Sequence, residues 1–444
     1  MPYRLGIDVG TTYTAAAMLR EGHAEVASLG DRSAAIPSVI FQRPDDTILT
    51  GEAASRRGLA EPSRVARAFK RRIGDPTPIM VGGTPYSADA LTAKLLRWVF
   101  DAVSEREGGK PEKIAVSHPA NWGPYKKELL GQAIRMSEIG EAQTLTEPEA
   151  AAIYYSSTER VDPGQVVAVY DLGGGTFDAA VLRKTGTGFE ILGPPEGIER
   201  LGGIDFDEAV LAHVNRSLDG VLEDLDPDDP GAVAIMARLR EECTIAKETL
   251  SSDTDVSIPV ILPSVQTEVR LTRAEFEGMI RPTLSDTIGA LRRALRSAGV
   301  EPHQVGTVLL VGGSSRIPLV GQLVSTELGR PVAVDAHPKH AIALGAALAT
   351  GDRAEPKPVR LEEERHDVRS TRILTRMPLP PPGTEPTRTP PQKPRDAQRR
   401  AGATVAMKRP PPPATRPPAK SPPAPAPEAE TRPAKRRRWW WPFG

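Results

Sequence analysis

The apolar residues of this chain form continuous runs that end in acids, and separate runs that recur every three to four positions. The most informative continuous run begins at Val166 and leads into the sequence DLGGGTFD. An unbroken apolar run predicts a strand buried on both faces. Glycines after it permit a sharp turn whose N–H groups can attract phosphate. We therefore expect either a plain Gly-rich hairpin or a phosphate-binding loop at this point.

The acid before these glycines favours the phosphate-binding interpretation. Asp171 ends the strand, and a carboxylate there would repel phosphate unless a divalent cation lay between them. The sequence thus predicts a Mg²⁺-nucleotide site made by Asp171, Thr176 and the three glycines, which are Gly173, Gly174 and Gly175.

The start of the chain repeats this design. An apolar strand ends in Asp8, and the residues after it are Gly10, Thr11, Thr12 and Tyr13. Two such loops in one chain indicate a duplicated unit. We expect two lobes, each presenting one loop to a single nucleotide held between them.

Periodicity places the other elements around these loops. Leu91, Leu95, Val99 and Val103 recur every four residues and predict a helix that Ser87 caps. Residues 34–84, with short apolar runs between prolines and glycines, suggest a small appended subdomain. The remaining expected strands are Lys113–Ser117, a pair within 254–272 and Val308–Val311, and the expected helices are Tyr86–Glu107, Pro124 to about Ile139, Ala232–Leu250, one ending near Arg296, and Ala341–Ala349.

For three further polar residues, the local sequence alone does not decide between a structural and a functional role. Lys70 reads as a solvated surface lysine when it is taken alone. Glu147 precedes a proline and an alanine-rich helix, so it either projects into a cleft from an extended backbone or simply favours a helix N-terminus. His118 has no partner at a catalytic spacing, and we interpret it as structural.

Two more glycine turns are candidate binding sites for the base, sugar or phosphates of a nucleotide, because the second of them joins a strand to a helix N-terminus. Lys247 and Ser251 lie four residues apart and share one face of a predicted helix. The residues of the two turns are Gly202 and Gly203 in the first, and Gly312, Gly313, Ser314 and Arg316 in the second.

Composition changes after residue 350. The chain has 444 residues and no formal net charge, but about half of its prolines follow residue 350, where basic residues outnumber acidic ones about twofold. This composition predicts a disordered, Pro-rich linker over 351–437 and a Trp-rich tip over 438–444. The single cysteine, Cys243, fits a reducing cytoplasmic setting, and we find neither a signal peptide nor an expected transmembrane helix.

Taken in order, the motifs resemble those of the nucleotide-binding domain of DnaK-type heat-shock-70 chaperones. The resemblance covers about residues 3–350 and implies an α/β fold of the two-lobed, actin-like ATPase type, a duplicated ribonuclease-H-like fold. It predicts lobe I at about 1–165 and lobe II at about 166–350, without the peptide-binding domain of the family. The matching segments are GIDVGTTYT, AFKRRIG, LTEPEAAA, VYDLGGGTFD, LGGIDFD, AKETLSS and VGGSSRIP.

The resemblance also implies roles and cofactors, namely ATP or ADP with Mg²⁺. Asp8 and Asp171 would hold Mg²⁺ largely through water. Lys70 becomes an expected contact of the γ-phosphate, and Glu147 and Asp178 become candidates for positioning the metal ligands and the attacking water. Contacts to the terminal phosphates are implied for Thr11, Thr12 and Thr176, and contacts around the adenosine for Lys247, Ser251, Gly313, Ser314 and Arg316.

Several positions depart from the family pattern. Thr244 and Glu248 stand where a glutamate and an adenine-stacking arginine are usual, so we expect weaker ATP binding, which submicromolar affinity by calorimetry would contradict. Asn121 replaces a tyrosine and Lys127 an arginine in the segment that couples the cleft to the interlobe linker. His337-Pro338-Lys339-His340 replaces an acidic Asn-Pro-Asp-Glu. The segments that couple the cleft to the interlobe linker thus depart from the family pattern more than the hydrolytic residues do.

The chain tip combines cations with tryptophans. Arg436 to Phe443 suits an anionic membrane surface, since each nearby cation contributes about 1 kcal/mol towards acidic lipid. A protein groove is the second interpretation, nucleic acid a less favoured third, and an inert tail a fourth. Lipid binding would place the protein at the inner face of the plasma membrane, and the proline-rich segment predicts a protein partner.

The sequence as a whole predicts a slowly hydrolysing, chaperone-like ATPase switch whose tail engages a membrane surface or a partner protein. The alternative is a scaffold that binds ATP without hydrolysing it. A sugar or metabolite kinase is disfavoured, because the segments LGGIDFD and AKETLSS are of the chaperone type.

Overall fold

The computed structural model of the protein describes residues 2–30, 33–334 and 340–351. In the first half of the chain the strands are β1 Arg4–Val9, β2 Tyr13–Arg20, β3 His23–Ala27, β4 Ile36–Pro37, β5 Ile40–Gln42, β6 Ile48–Thr50, β7 Val65–Ala66, β8 Ile79–Val81, β9 Thr84–Tyr86, β10 Ile114–His118 and β11 Gln143–Thr146. The helices of that half are α1 Gly51–Gly58, α2 Ala88–Glu107, α3 Pro124–Met136 and α4 Glu147–Thr158.

The strands of the first half build one main sheet in the order β11-β10-β1-β2-β3, with β4 added beside β2. Strands β1, β10 and β11 are parallel, whereas β2 and β3 are antiparallel to their neighbours. The β1–β2 hairpin turns at Gly10–Thr12, so the first glycine loop lies where these two interior strands meet. The core beside this sheet is apolar and includes the fully buried Leu5, Ile7, Leu91 and Leu95.

The second half of the chain repeats this arrangement. Its main sheet has the order β14-β13-β12-β17-β18, in which β12, β17 and β18 are parallel and β13 and β14 antiparallel. The strands are β12 Val166–Leu172, β13 Phe177–Lys184, β14 Phe189–Ile198, β15 Asp255–Ile261, β16 Gln266–Thr272, β17 Val305–Val311 and β18 Val332–Val334. The helices are α5 Gly203–Ser217, α6 Pro230–Thr249, α7 Arg273–Ser297, α8 Pro318–Leu328 and α9 Ala341–Ala349.

The matching strand orders confirm the predicted α/β class and the two-lobed, duplicated architecture. In both sheets the glycine loop joins the first strand to an antiparallel second strand. The three-stranded sheet β6-β5-β7 and the hairpin β8–β9 form the small appendage expected within 34–84, and β15–β16 is the corresponding hairpin of the second half.

Helix α9 follows the second sheet in sequence but packs on the first. A Cβ at Gly6 of β1 would lie 2.2 Å from the backbone nitrogen of Ala347 in α9. A Cβ at Gly345 of α9 would lie 1.8 Å from the carbonyl oxygen of Ala150 in α4. Glycine at these two positions therefore permits backbone contact between α9 and the first lobe. The predicted lobe boundary at 165/166 stays a prediction.

The close contact at Gly345 predicts that Gly345→Ala destabilises the protein by about 1–3 kcal/mol, because the added methyl group would overlap the backbone of α4. Urea unfolding followed by circular dichroism measures this change. Gly278→Ala in α7 is the matched control, since in the described structure no heavy atom lies within 4 Å of its added Cβ. The control should stabilise the helix by about 0.5–1 kcal/mol. Equal effects from the two substitutions would contradict the prediction.

The element boundaries agree closely with the periodicity. The helix that Ser87 was expected to cap begins at Ala88, with the Ser87 hydroxyl accepting from the Ala90 amide at 3.4 Å. The third helix ends at Met136 rather than near Ile139. No helix within the described residues is long and apolar enough to cross a membrane. The predictions for 352–444, including the linker and the tip, and for His337, Pro338 and Lys339 lie outside the described residues.

Candidate functional site

The two glycine loops face each other directly across the cleft between the sheets. A Cβ built on Gly174 would lie 2.2 Å from Oγ1 of Thr12, and one built on Gly175 would lie 2.4 Å from Cγ2 of Thr11. Only glycine at these positions leaves space for the threonines of the opposite loop. The structure thus brings together the two predicted phosphate loops.

A third glycine turn supports the second loop from behind. The Gly203 amide donates to the Gly173 carbonyl at 3.1 Å, and the Ile204 amide donates to the Gly174 carbonyl at 2.8 Å. The Ser314 hydroxyl donates to the same Gly173 carbonyl at 2.9 Å. Gly202 is packed so closely that its added Cβ would lie 2.6 Å from the Gly175 nitrogen. The predicted turns at 202–203 and 312–316 therefore converge on one loop.

Lys247 of α6 lies beside this turn. Its ammonium donates to the Gly203 carbonyl at 3.1 Å and pairs with Asp207 at 2.7 Å. The built Cβ of Gly203 would lie 3.1 Å from this ammonium. The lysine is thus held at the cleft wall by α5 and α6, where the sequence placed it.

The other predicted adenosine residues are less closely tied to this group. Gly312 has φ +82°, and its added Cβ would lie 2.6 Å from Oδ1 of Asp171. Gly313 begins the turn that Arg316 ends, and Arg316 is exposed. Ser251 is half-buried just after α6. In the part of the chain that the structure describes, neither Arg316 nor Ser251 hydrogen-bonds another predicted site residue through its side chain.

Below the loops lies a cluster of buried charges. Lys70 donates to Oε1 of Glu147 at 2.6 Å, and both side chains are buried. Glu147 is the first residue of α4, where the extended Thr146 caps the helix and Pro148 lies in the first turn. Glu147 therefore stands at a helix N-terminus and also places its buried carboxylate against Lys70, which is not a surface lysine.

Three aspartates complete the cluster, and all of them are buried. Asp8 ends β1 and accepts from the Ser117 hydroxyl at 2.8 Å. Asp171 and Asp178 lie opposite each other in the β12–β13 pairing, so the hairpin itself brings these two carboxylates together. One oxygen of Asp178, which is 2 % exposed, has no hydrogen-bond partner among the described residues.

Burial and mutual repulsion alter the protonation of these groups. Burial raises the pKa of Asp8 to about 6, with Glu147 adding to the rise and Lys70 opposing it. Burial and the nearby Glu147 also raise the pKa values of Asp171 and Asp178 well above the usual range. Burial alone would lower the pKa of Lys70, but Glu147 and Asp8 outweigh it and the value is raised.

This charge imbalance fits a divalent cation. Four buried carboxylates face a single buried ammonium, and oxygen ligands are those that Mg²⁺ prefers. Among the described residues, no three acidic, histidine or cysteine side chains converge into a complete metal-binding set. Mg²⁺ would therefore keep much of its water here, as it usually does in proteins.

The sequence reasoning missed Arg71, although the residue lies in the segment AFKRRIG. Its Nε donates to the Gly175 carbonyl at 2.6 Å, and its guanidinium pairs with Asp205 at 2.5 Å. These bonds join the first lobe to the second loop and to α5. A signal was present, because LGGIDFD contains two acids, and the first of them, Asp205, has no partner in the local sequence.

Ser38 was also missed. Its amide donates to the Thr12 carbonyl and its hydroxyl donates to the Gly10 carbonyl, both at 2.8 Å. The serine thereby fixes both ends of the first loop. Only the three-dimensional return of the chain to β2 reveals this contact, since no local sequence pattern marks the residue.

His118 is structural in its surroundings, as the sequence suggested. It ends β10, its Nδ1 lies 2.9 Å from the Pro119 carbonyl oxygen, and its ring stacks on Trp122 at 6.2 Å. Burial lowers its pKa, with the cations Lys127 and Lys70 adding to the effect.

This lowered pKa predicts a loss of stability in acid. Because the folded value lies below the unfolded value of about 6.5, the unfolded chain binds the proton first, and stability falls as the pH drops through that range. His118→Gln should make the fall in unfolding free energy between pH 7 and pH 5 shallower, by about 1.4 kcal/mol for each unit of pKa shift. Unfolding in urea at both pH values measures the difference. The exposed His303→Gln substitution is the control, and an identical pH dependence in all three proteins would contradict the prediction.

A duplicated α/β fold with two facing glycine loops and buried carboxylates defines the class of actin-like, two-lobed ATPases. The family model described as Hsp70 protein matches residues 4–79 and 76–359 of the chain, well over half of its length. The protein therefore belongs to the Hsp70 family, which confirms the predicted resemblance. Membership assigns it to an ATP-binding, chaperone-type class of function.

Proposed function

We propose that the protein is a slow Mg²⁺-dependent ATPase that acts as a chaperone-like switch. The observation that carries this proposal is the buried Lys70–Glu147 ion pair, 2.6 Å long, in which Lys70 also interacts with Asp8 and Asp171 at the starts of the two facing glycine loops. A buried cation beside a phosphate site stabilises negative charge that develops during phosphoryl transfer. A preorganised cation at this position favours hydrolysis over ATP binding alone.

The proposed roles follow from where each side chain lies. Thr11, Thr12 and Thr176 with the loop amides would bind the terminal phosphates, and Lys70 would approach the γ-phosphate. Asp8 and Asp171 would hold the waters of Mg²⁺, which when bound neutralises phosphate charge. Glu147, whose carboxylate Lys70 orients, and Asp178, with its unpartnered oxygen, would position the attacking water.

The adenosine would lie between the turns around Lys247 and Ser314. At this end of the cleft, burial raises the pKa of Tyr13 to about 12, and Glu248 of α6 is the largest charged contributor to that rise. A carboxylate thus stands near Tyr13 where the family has an arginine. This supports the proposal that ATP binds more weakly than in relatives with the stacking arginine.

The output of the switch is proposed to lie in residues 352–444. The family match ends at residue 359, and the sequence beyond it supplies prolines and the Trp-rich tip. We propose that this segment carries the nucleotide state to a partner protein or an anionic membrane surface. Deletion of 435–444 should then reduce co-sedimentation with acidic vesicles, and unchanged co-sedimentation would remove the membrane from the proposal.

Single-turnover measurements on the full chain test the ATPase. Trace ATP labelled at the γ-phosphate is mixed with excess protein and Mg²⁺, and both bound nucleotide and free phosphate are followed. We expect cleavage that requires Mg²⁺ and is slow. Tight ATP binding with no phosphate formed would favour the alternative, a nucleotide-dependent scaffold, and calorimetry with submicromolar affinity would contradict the weak binding expected from Glu248.

A further inference from the structure

A narrow crevice opens between the lobes beside the phosphate loops. Its inner end reaches the buried Lys70 and the loop residue Thr176. The described lining residues include none from α6 or from the turn at 312–316, which carry the proposed adenosine contacts. The full lining consists of Lys70, Arg71, Pro119, Asn121, Trp122, Lys126, Thr176 and Glu199. The crevice therefore meets the site at its phosphate end.

The wall of this crevice contains a polar atom without a partner, and a second such atom lies next to it. Oδ1 of the lining residue Asn121 and Oδ1 of Asp178, which does not line the crevice, are both buried and make no hydrogen bond within the described structure. The two side chains meet at Gly197, whose added Cβ would lie 2.1 Å from Nδ2 of Asn121 and 2.9 Å from Oδ1 of Asp178. Buried polar atoms are normally satisfied by protein or water, so this wall is suited to contact with solvent or a small polar solute.

The outer end is closed by an ion pair between the lobes. Lys126, near the start of α3 in the first lobe, pairs with Glu199, which follows β14 in the second. Their side chains are 24 % and 62 % exposed, so the pair lies at the surface. Exposed pairs contribute only about 0.2–1 kcal/mol, and such a contact can open readily.

The charges of the crevice suit a small anion. Three cations, Lys70, Arg71 and Lys126, line it with one acid, Glu199. Behind this lining, Glu147 pairs with Lys70, and Asp178 lies next to Asn121. Arg71 is already engaged by Asp205 and the Gly175 carbonyl. A phosphate ion displaced from Lys70 would therefore meet Lys126 once that lysine separates from Glu199, whereas the bound nucleoside diphosphate would occupy the other end of the cleft.

We propose that this crevice is the exit for inorganic phosphate, and that the Lys126–Glu199 ion pair is its gate. The inference rests on the proposed ATPase function. It means that phosphate leaves before the diphosphate, and that movement of the two lobes sets the release rate without altering the residues that cleave ATP.

Two measurements on the full chain test the gate. The first compares ATP cleavage by quenched flow with phosphate release by a fluorescent phosphate sensor. The second follows dissociation of labelled inorganic phosphate from protein loaded with ADP and Mg²⁺, which needs no cleavage. Lys126→Glu places two acids together and should speed both phosphate steps about threefold to tenfold while cleavage stays within twofold.

The matched variants decide the interpretation. The charge-swapped Lys126→Glu/Glu199→Lys protein should restore slow release, and Glu196→Lys, which breaks the Arg293–Glu196 pair within the second lobe, should leave release unchanged. Unchanged release in Lys126→Glu, or equal acceleration in Glu196→Lys, would overturn the gate. Absence of cleavage in the unaltered protein would sink the ATPase proposal, while the dissociation measurement would still decide the exit route.

Discussion

Replacing Lys70 with alanine is expected to slow single-turnover cleavage of ATP by about 10²–10³-fold, because a preorganised charge at the phosphate contributes an effect of that size. The ammonium is buried and is held at 2.6 Å by Glu147. No reorganisation is therefore needed when charge develops on the transferred phosphate. Quenched-flow measurement of phosphate formed from bound ATP gives the rate, with protein in excess so that product release does not enter.

The neighbouring Arg72 offers a matched control. It lies two residues from Lys70, is also cationic, and pairs with Asp75 near the surface. Arg72→Ala should leave the cleavage rate within about twofold, because exposed ion pairs contribute little. Similar losses in the two variants would indicate a general loosening of the 3₁₀ turn that both share, and would contradict a specific role for Lys70.

Lys70→Ala should also lower the free energy of unfolding. Glu147 is buried, and without Lys70 it would join Asp8, Asp171 and Asp178 in a cluster with no buried cation. Removing one partner of a buried pair typically costs about 3–5 kcal/mol. The ATPase comparison must therefore use temperatures below the transition of the variant, which thermal unfolding of both proteins establishes.

The local sequence was sufficient to predict the secondary-structure elements and the two glycine loops. The run from Val166 and the glycines after it predicted β12 and its turn, and the shared Asp-x-Gly pattern predicted the duplication that the two strand orders confirm. Both predictions rest on short-range constraints, namely burial of a central strand and the need for glycine where backbones meet.

Contacts between residues that lie far apart in the chain were not accessible in this way. Lys70 and Glu147 are separated by 77 positions, and Arg71 and Asp205 by 134. The local sequence alone predicts that Lys70 is a surface lysine, and only the family motif identifies it as a candidate site residue. Ser38 carried no signal, because its role comes from the return of the chain to β2. Asn121 was marked only as a departure from the family pattern, since its place in the crevice follows from the fold.

Gly202→Ala is expected to weaken ATP binding by about tenfold to a hundredfold. The added Cβ would lie 2.6 Å from the Gly175 nitrogen and 2.8 Å from the Gly173 oxygen. These neighbours are backbone atoms, so the loop itself must shift, and overpacking of this kind costs about 1–3 kcal/mol. Since each 1.4 kcal/mol is a tenfold change in affinity, the loss should appear directly in calorimetric titration with ATP and Mg²⁺.

A second glycine of the same lobe separates this effect from a general response to the added methyl group. Of the residues that the structure describes, none has a heavy atom within 4 Å of a Cβ built on Gly186, which follows β13 away from the loops. Gly186→Ala should therefore bind ATP as the unaltered protein does. If Gly202→Ala also retained full affinity, the turn at 202–203 would not support the phosphate loop during binding. General unfolding of the variant would instead appear as a large loss of unfolding free energy without ligand. If only the loop is displaced, the affinity falls while the unfolding free energy decreases by no more than about 1–3 kcal/mol.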